Sequence, residues 1–511
     1  MKINLVFYLC LTFILFQFQN LYCQDNWSKI YDINRDSDSG WKILDIDDYY
    51  YIMSSNLCDG QSNFCTGLLK IDKKGNVIWK MELDSISPTT HDACFTTDEN
   101  FLYLVLSYNY LPLSNFRLIK FDLNGKLIKE KQYPVYPVIR FGRNINYYNN
   151  KLYVNLSFWH DYKKHGADSS QVWTFDTEFN ELTKFTHTEN YFREELFNYD
   201  RCQDGNFYST KICGNLDWRG FAKLYKFDSL GEIIWDRILN DTLDDMYFQH
   251  PDFSITKDSG CVVNWMQQRD YRFRDTAEFS SKIVKYDKNG NLQWTLPFYG
   301  KRDKNIFGTF VTKNGDIIIC GNDHNPGIIN KEQHYITGWL VRVSPEGLVK
   351  WDRRISEYRS LRSIRFHSGI EEEDGDLVIC GNIGSISEDS TLLSANIYVV
   401  RLDSNGCFNG YCDDSLQIIT AVKEYEKFPD QEKLFTFYPN PIIDHFILQS
   451  IQEIKLNTEL ILYNSEGKFV TNRYISEKKE IIHLNNYPKG KYYYRINTKD
   501  KTIQIGSLIV I

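Results

Sequence analysis

Apolar and polar positions alternate in short runs along residues 26–412, and one phrase recurs among them. An apolar strand leads into an Asp-x-x-Gly turn, and a second strand follows, which in four copies carries a Trp four positions after the glycine. Asp can cap such a turn through its side chain, and Gly accepts the positive φ of a chain reversal. The turns are Asp72–Gly75, Asp122–Gly125, Asp176–Asn180, Asp228–Gly231, Asp287–Gly290, Ser344–Gly347 and Asp403–Gly406. A period of about 55 residues therefore predicts seven similar units.

A second hairpin precedes each phrase. In one copy the apolar run Ile317–Cys320 follows the turn at Asn314-Gly315, and in another Leu377–Cys380 follows Asp374-Gly375. Each unit thus contains four antiparallel strands, here called A to D in chain order. Four strands in two hairpins favour blades arranged around an axis over a linear solenoid. A calcium-binding role for the Asp-x-x-Gly turns is disfavoured, because too few carboxylates converge on each turn.

The two ends of the repeat region complement each other. The seventh copy has Gly410 where a Trp is expected, whereas Trp27–Tyr31 resembles the outer strand Trp79–Leu83 but has no unit before it. We therefore predict that residues 26–33 pair with the last unit near Tyr398–Leu402. This pairing would close the ring and remove an open sheet edge, which otherwise promotes aggregation.

The pattern changes after Cys412. Residues 413–434 are polar and charged and contain no repeat phrase, so we expect a linker that is extended or partly helical. From Phe435 onward, short apolar runs alternate with turns about every 10 residues, which predicts a small β-sandwich. The predicted fold class is all-β: a seven-bladed β-propeller over residues 24–412, followed by a small C-terminal β-sandwich over residues 435–511.

The N-terminus has the pattern of an export signal. Lys2 precedes an apolar run from Leu5 to Phe16 that is too short to span a bilayer comfortably, so residues 1–23 are predicted to be a signal peptide cleaved after Cys23. An uncleaved anchor and a lipid-modified Cys23 are the alternatives. No later segment is apolar enough to cross a membrane, and we expect no integral membrane segment in the mature chain.

Charge and cysteine content narrow the possible partners. The formal net charge is −8, and a chain that binds nucleic acid needs a basic surface, so no nucleic-acid partner is expected. Export permits disulfides, and the pairs Cys58/Cys65 and Cys407/Cys412 are each close enough in sequence to bridge locally. Cys213, Cys320 and Cys380 recur at one position of the repeat, which predicts buried free thiols. No cysteine or histidine spacing indicates a metal site, and no cofactor is expected.

The repeat phrases resemble those of secreted quinoprotein-like β-propellers. The resemblance rests on Lys70-Ile-Asp72…Gly75…Trp79 and on Gly315–Gly321, and it covers residues 26–412. It implies a fold but specifies function poorly, since propellers perform many functions.

The C-terminal region resembles the type A sorting domain of the type IX (Por) secretion system of Bacteroidetes. The motif residues are Tyr438, Pro439, Asn440, Pro441, Gly467, Gly490 and Tyr492. The resemblance implies recognition by an outer-membrane translocon, with the chain exported through the periplasm and then secreted or attached to the cell surface. Members of this family usually end in a lysine-bearing strand, whereas this chain ends in the apolar segment Ile505–Ile511, which puts processing of the domain in question.

Sequence motifs for catalysis are missing. The chain contains no nucleophile elbow, HExxH, P-loop or Rossmann fingerprint, so an enzyme is the less favoured interpretation. The connections between strands B and C are long and varied, and in a propeller they surround the mouth of the central channel. Their aromatic, Arg, Asp and His side chains suit a glycan or a protein ligand. The candidate ligand-binding residues are Trp159, His160, Tyr162, His165, Asp217, Trp218, Arg219, Arg269, Tyr271, Arg274, Asp323 and His324.

Three functions are compatible with this pattern. The first is a secreted or cell-surface binding module for an unidentified glycan or protein ligand. The alternative is a glycan-active hydrolase or lyase that uses carboxylates at the channel mouth, for which the sequence identifies no catalytic residue. A third is a structural or adhesive surface protein with no small ligand.

Overall fold

In the computed structural model, the described residues form strands and turns and contain no helix. They fall into two compact units, within residues 1–423 and 424–511. The described residues are 26–33, 38–57, 64–87, 93–110, 113–134, 138–159, 169–187, 193–214, 220–239, 246–269, 279–300, 304–323, 336–357, 362–386, 392–408, 417–419, 434–438, 442–450, 454, 458–464, 469–484, 487–498 and 502–510.

The first unit contains strands β1 to β29 in chain order. They are β1 (Ser28–Tyr31), β2 (Asp38–Ile46), β3 (Tyr49–Leu57), β4 (Phe64–Asp72), β5 (Val77–Ser87), β6 (Ala93–Thr97), β7 (Phe101–Tyr110), β8 (Leu113–Asp122), β9 (Leu127–Pro134), β10 (Val138–Tyr148), β11 (Lys151–Trp159), β12 (Ser169–Asp176), β13 (Glu181–His187), β14 (Arg193–Arg201) and β15 (Phe207–Gly214). They continue with β16 (Gly220–Phe227), β17 (Ile233–Ile238), β18 (Met246–Ile255), β19 (Cys261–Arg269), β20 (Phe279–Tyr286), β21 (Leu292–Gly300), β22 (Lys304–Val311), β23 (Ile317–Asp323), β24 (Thr337–Val343), β25 (Val349–Glu357), β26 (Arg362–Glu371), β27 (Leu377–Ile386), β28 (Leu392–Leu402) and β29 (Gln417–Ile419).

Within the described residues of this unit, the strands form seven sheets, numbered here along the chain. Sheets 1 to 5 are β2–β5, β6–β9, β10–β13, β14–β17 and β18–β21, each in sequential antiparallel order. Sheet 6 is β22–β25 with β29 added at its edge, and sheet 7 is β26–β28 with β1 added. Each sheet contacts the next one along the chain, and sheet 7 contacts sheet 1.

The N-terminal strand pairs with the last sheet, which confirms the predicted closure. β1 runs antiparallel to β28, with Ser28 opposite Val400 and Tyr31 opposite Ile397. The backbone N–H of Arg401 also donates to the carbonyl of Trp27 at 2.8 Å. Sheet 7 therefore combines strands from the two ends of the repeat region, and the edge of β28 is covered.

The recurring Trp joins neighbouring sheets. Trp294 of sheet 5 packs against the turn glycine Gly347 of sheet 6, and its Nε1 donates to the carbonyl of Pro345 at 2.9 Å. Gly347 has φ +89°, and a Cβ there would lie 2.8 Å from the indole, so both the backbone and the contact require glycine. The sequence pattern placed Trp on a face of its own strand but did not predict that the next turn would be its partner.

The closing strand makes the same contact. Trp27 packs against Gly75 of sheet 1, and its Nε1 donates to the carbonyl of Lys73 at 3.1 Å. Equivalent pairs are Trp79 with Gly125, Trp235 with Gly290 and Trp351 with Gly406, while Phe185 contacts Gly231. This contact, called the clasp below, explains why the turn glycine and the Trp occur together in the repeat.

The three cysteines predicted to be equivalent are buried, but only two of them share a position in the repeat. Cys320 and Cys380 lie three residues after the first residue of β23 and β27, whereas Cys213 lies six residues after the first residue of β15. Cys213, Cys320 and Cys380 are free and buried, which confirms the prediction for these three residues. Cys65 and Cys407 each form a disulfide. Their predicted partners, Cys58 and Cys412, lie outside the described residues, so the pairing stays a prediction.

Part of the predicted linker is a strand. β29, within residues 413–434, runs parallel to the end of β25, with Gln417 opposite Ile355. The first unit therefore includes residues beyond Cys412.

The second unit contains two sheets around one apolar core. Its strands are β30 (Phe435–Tyr438), β31 (His445–Ser450), β32 (Glu459–Tyr463), β33 (Phe469–Tyr474), β34 (Lys479–His483), β35 (Gly490–Asn497) and β36 (Thr502–Val510). The sheet orders are β30-β31-β34 and β33-β32-β35-β36. Phe446 and Leu448 from the first sheet share a core with Leu462 and Ile496 from the second.

Candidate functional site

Most of the predicted ligand-binding residues lie outside the described part of the chain. These are His160, Tyr162, His165, Asp217, Trp218, Arg219, Tyr271, Arg274 and His324. The other three predicted residues are the last residues of the second strands of sheets 3, 5 and 6: Trp159, Arg269 and Asp323. Each pairs with the first residue of the first strand of its sheet, which is Val138, Met246 and Lys304 respectively. The backbone thus places these three residues at the same end of their sheets, called the loop end below.

Asp323 is internal. Its side chain is almost fully buried, and Oδ2 accepts a hydrogen bond from Arg354 Nε at 2.7 Å. Arg354 also lies 3.5 Å from Asp352, which in turn accepts from Trp339 Nε1 at 2.8 Å. Asp323 therefore anchors the loop end of sheet 6 through a buried ion pair.

The first strands of the seven sheets form an inner wall. Each of β2, β6, β10, β14, β18, β22 and β26 contacts the first strand of the next sheet, and β26 contacts β2. Six of these strands are irregular at equivalent positions, between Gly40/Lys42, Gly142/Asn144, Leu196/Tyr199, Gln249/Asp252, Ile306/Gly308 and Phe366/Ser368. β-Bulges redirect side chains and are common beside functional sites, which makes this wall the candidate site.

Residues at the equivalent level of the seven first strands form a belt around the wall, called the axial ring. Its members are Lys42, Cys94, Asn144, Asn198, Asp252, Gly308 and Ser368. Lys42 Nζ lies 3.8 Å from Cys94 Sγ, and Cys94 Sγ lies 3.6 Å from Asn144 Oδ1. Asn198 Nδ2 donates to Asp252 Oδ1. Neighbouring sheets are therefore linked by polar side chains at the inner wall.

One side of the axial ring is acidic. Burial is the main cause that raises the pKa of Asp252 to about 7; the Asp200 carboxylate adds to the rise, and hydrogen bonds from Phe253 and Asn198 and the charge of Lys42 oppose it. Asp200 is exposed to solvent, but desolvation by the surrounding protein raises its pKa as well. Two carboxylates in a confined space disfavour each other's ionisation. The two carboxylates on this side of the wall therefore have higher pKa values than an ordinary surface aspartate.

The other side of the wall carries an aromatic cluster. Trp41, Phe307 and His367 are the residues within the bulges of sheets 1, 6 and 7. The His367 ring centroid is 4.1 Å from that of Trp41 and 4.9 Å from that of Phe307. His367 is buried, whereas Trp41 and Phe307 are half-buried and expose part of their rings.

Three polar residues on the same first strands lie two positions before Trp41, Phe307 and His367, closer to the loop end. Ser39, Asn305 and Arg365 occupy equivalent positions opposite Ser55, Asn322 and Asn382. Ser39 Oγ, Asn305 Oδ1 and Arg365 Nε are buried, and none of these atoms has a hydrogen-bond partner among the described residues. Burial lowers the pKa of the Arg365 guanidinium, and no described acid pairs with this group. We call these three residues the polar triplet.

Within the described ranges, no three His, Cys, Asp or Glu side chains converge as a metal ion would require. Among the same residues, no helical segment has the length and hydrophobicity that a membrane crossing needs.

Comparison with known families identifies the second unit. Residues 436–511 match the family described as the secretion system C-terminal sorting domain. The second unit contains a C-terminal sorting domain. The chain is therefore directed out of the cell by the type IX secretion system, either to the surface or to the medium.

The structure describes three of the predicted sorting-motif residues. Tyr438 ends β30 with its ring partly exposed, and its hydroxyl donates to Gln449 Oε1 at 2.7 Å. Gly490 begins β35, and Tyr492 is buried, with its hydroxyl donating to the carbonyl of Pro488 at 2.7 Å. Pro439, Asn440, Pro441 and Gly467 of the sorting domain lie outside the described residues.

No curated protein matches the chain in sequence. Solved structures that resemble it include the β-propeller domain of the Trilobed protease from Pyrococcus furiosus, with 10% identity, a TM-score of 0.39, and coverage of 74% of this chain and 99% of that one. A protein of unknown function from Bacteroides caccae has 12% identity, a TM-score of 0.34, and coverage of 62% and 94%. The acylaminoacyl peptidase of Pyrococcus horikoshii has 9% identity, a TM-score of 0.40, and coverage of 82% and 59%. The neighbours thus include β-propellers, and no activity is inferred from them.

Sequence reasoning missed the aromatic cluster and the polar triplet. A signal was present, because Phe307 and His367 each stand eight residues before a hairpin glycine, Gly315 and Gly375 respectively. Aligning the repeats on that glycine would have shown aromatic residues at one inner position. The bulges that bring these aromatic side chains into contact have no comparable signature in the sequence.

Proposed function

We propose that the first unit is a seven-bladed β-propeller that binds a glycan or protein ligand at its loop end after export. The same proposal includes four further points. They are the likeness of the first unit to quinoprotein propellers, a signal peptide at residues 1–23, a linker at 413–434, and a sandwich formed by the two C-terminal sheets. Seven sheets in sequential contact, closed by β1 and joined by clasps, support the blade count.

The observation that carries the binding proposal is the difference between the two ends of the sheets. The turn end contains tight reversals such as Asp122–Gly125, held by the backbone hydrogen bond from Gly125 N to the Asp122 carbonyl at 3.0 Å. At the loop end, the segments between β11 and β12, β19 and β20, and β23 and β24 are much longer, and the first two are rich in aromatic and charged residues. Sheet 2 departs from the expected long connection, because only residues 111–112 separate β7 from β8. Variable loops on a rigid scaffold are where proteins place ligand contacts.

A hydrolase or lyase is not favoured by the described residues. Asp323 is committed to Arg354, and Asp252 Oδ1 already accepts hydrogen bonds from Asn198 and from the backbone N–H of Phe253. These carboxylates are engaged in internal contacts, which suits a scaffold better than a reacting pair.

The test uses the full-length secreted chain on a glycan array and in a screen of cell-surface proteins. We expect a ligand whose affinity falls at least about tenfold when Trp218 and Tyr271 are both replaced by alanine, since aromatic contacts dominate such interfaces. The matched control replaces Leu230 and Ile234, which are exposed near the turn end, by alanine. Equal losses in both double variants, or no ligand in either screen, would contradict the proposal.

A further inference from the structure

The strongest unexplained feature of the inner wall is Arg365. Its Nε is buried without a hydrogen-bond partner among the described residues, and no acid among them compensates the charge. An unpaired cation removed from water is costly, and proteins seldom retain one without a use for it. Arg365 as a whole is only half-buried, so part of its side chain remains accessible to a ligand.

The neighbouring residues suggest the shape of a ligand. Asn305 Oδ1, Ser39 Oγ and Asn322 Nδ2 are also buried without partners among the described residues. Together they offer acceptors and donors such as a hydroxylated molecule requires. Trp41 and Phe307 follow Ser39 and Asn305 by two residues on the same strands, and their half-buried rings offer apolar faces for stacking. A small-molecule site usually combines a few polar groups with aromatic side chains that line it.

The charge of the wall restricts the ligand further. Arg365 can bind one carboxylate through two parallel N–H groups of its planar guanidinium. Asp200 and Asp252 lie on the same inner wall, and the chain carries a net charge of −8, so a densely charged polyanion would be repelled. A single anionic group on an otherwise neutral, hydroxylated ring satisfies both conditions.

We propose that the polar triplet and the aromatic cluster form a binding site for a carboxylate-bearing sugar, with Arg365 holding the carboxylate. Asn305, Asn322 and Ser39 bind ring hydroxyls, and Trp41 and Phe307 pack against the sugar ring. This assignment rests on the proposed binding function and names the class of ligand that the same end of the first unit takes.

The experiment measures binding of galacturonate, and of galactose as its neutral counterpart, to the full-length secreted chain by calorimetry. We expect wild type to prefer galacturonate, and Arg365→Gln to weaken that binding at least about tenfold, since charge-assisted hydrogen bonds are lost. Arg365→Lys keeps the charge but not the planar fork and is expected to lose affinity while folding normally. The matched control is Arg237→Gln, because Arg237 has a partner, the carbonyl of Gly290 at 2.8 Å.

Thermal unfolding separates binding from a structural role. Arg365→Gln should raise the unfolding temperature by about 2 °C or more, because an uncompensated charge is removed, whereas Arg237→Gln should lower it. Unchanged galacturonate affinity together with a lower unfolding temperature in Arg365→Gln would overturn the proposal. Equal binding of both sugars, independent of Arg365, would overturn this inference and leave the proposed function standing. Absence of any ligand on the glycan array and in the protein screen would remove both.

Discussion

Replacing Trp27 by alanine is expected to lower the free energy of unfolding of the first unit by about 2–4 kcal/mol, the cost of truncating a large packed aromatic residue. Trp27 packs on Gly75 and donates to the carbonyl of Lys73 at 3.1 Å, so the variant loses both the packing and the hydrogen bond between sheets 7 and 1. Because β1 supplies the outer strand of sheet 7, the loss also weakens closure. Denaturant unfolding monitored by fluorescence and circular dichroism measures the effect.

The matched control for Trp27 is Ile78→Ala. Ile78 is about half exposed on the outer strand of sheet 1 and takes no part in a clasp, so its truncation should cost well under 1 kcal/mol. A Trp27→Ala effect no larger than that of Ile78→Ala would show that the closing clasp contributes nothing to stability.

Replacing Asp252 by asparagine is expected to stabilise the first unit at pH 8 by about 2–4 kcal/mol and to leave its stability nearly unchanged at pH 4. The pKa of Asp252 is about 7 in the folded chain, above the value near 4 of an unfolded aspartate. Between these values the folded state holds a proton that the unfolded state has released, so stability falls as pH rises from about 4 to 7. Asparagine keeps the Oδ1 acceptor for Asn198 and Phe253 but never ionises.

Chemical unfolding of both proteins at half-unit steps from pH 4 to pH 8 tests this expectation. Asp48→Asn, at an exposed turn, is the control and should follow the wild-type curve. A constant difference between Asp252→Asn and wild type across the range, or a destabilised variant at pH 8, would show that Asp252 ionises as an ordinary surface carboxylate.

The repeat and its closure could be predicted from sequence because their signals are local. Alternating strands, the Asp-x-x-Gly turn and the unmatched segment Trp27–Tyr31 are visible within a few residues of one another. The strand pairing of Ser28 with Val400 then follows from the missing outer strand of the last unit.

The clasp and the inner wall could not be predicted in the same way. The partner of Trp294 is a turn in the next sheet, Gly347, so the contact depends on how sheets pack rather than on a strand's own pattern. Trp41 and His367 are more than 300 residues apart in sequence and meet only because both first strands bulge at one level of the wall. Burial of Arg365 with no counter-ion in the described part of the chain has no sequence signature at all.

Closure of the ring by the N-terminal strand is the central structural claim, and disulfide trapping tests it most directly. Trp27 and Arg401 are joined by a backbone hydrogen bond, so Ser28 and Val400 face each other at the next, non-hydrogen-bonded pair, where the side chains are closest. In the double variant Ser28→Cys/Val400→Cys, mass spectrometry of the oxidised protein should find the two peptides covalently linked. The variant Ser28→Cys/Val399→Cys, whose side chains leave opposite faces of the sheet, should give no link. Failure of the first pair to link, or equal linking in both variants, would contradict the closed ring.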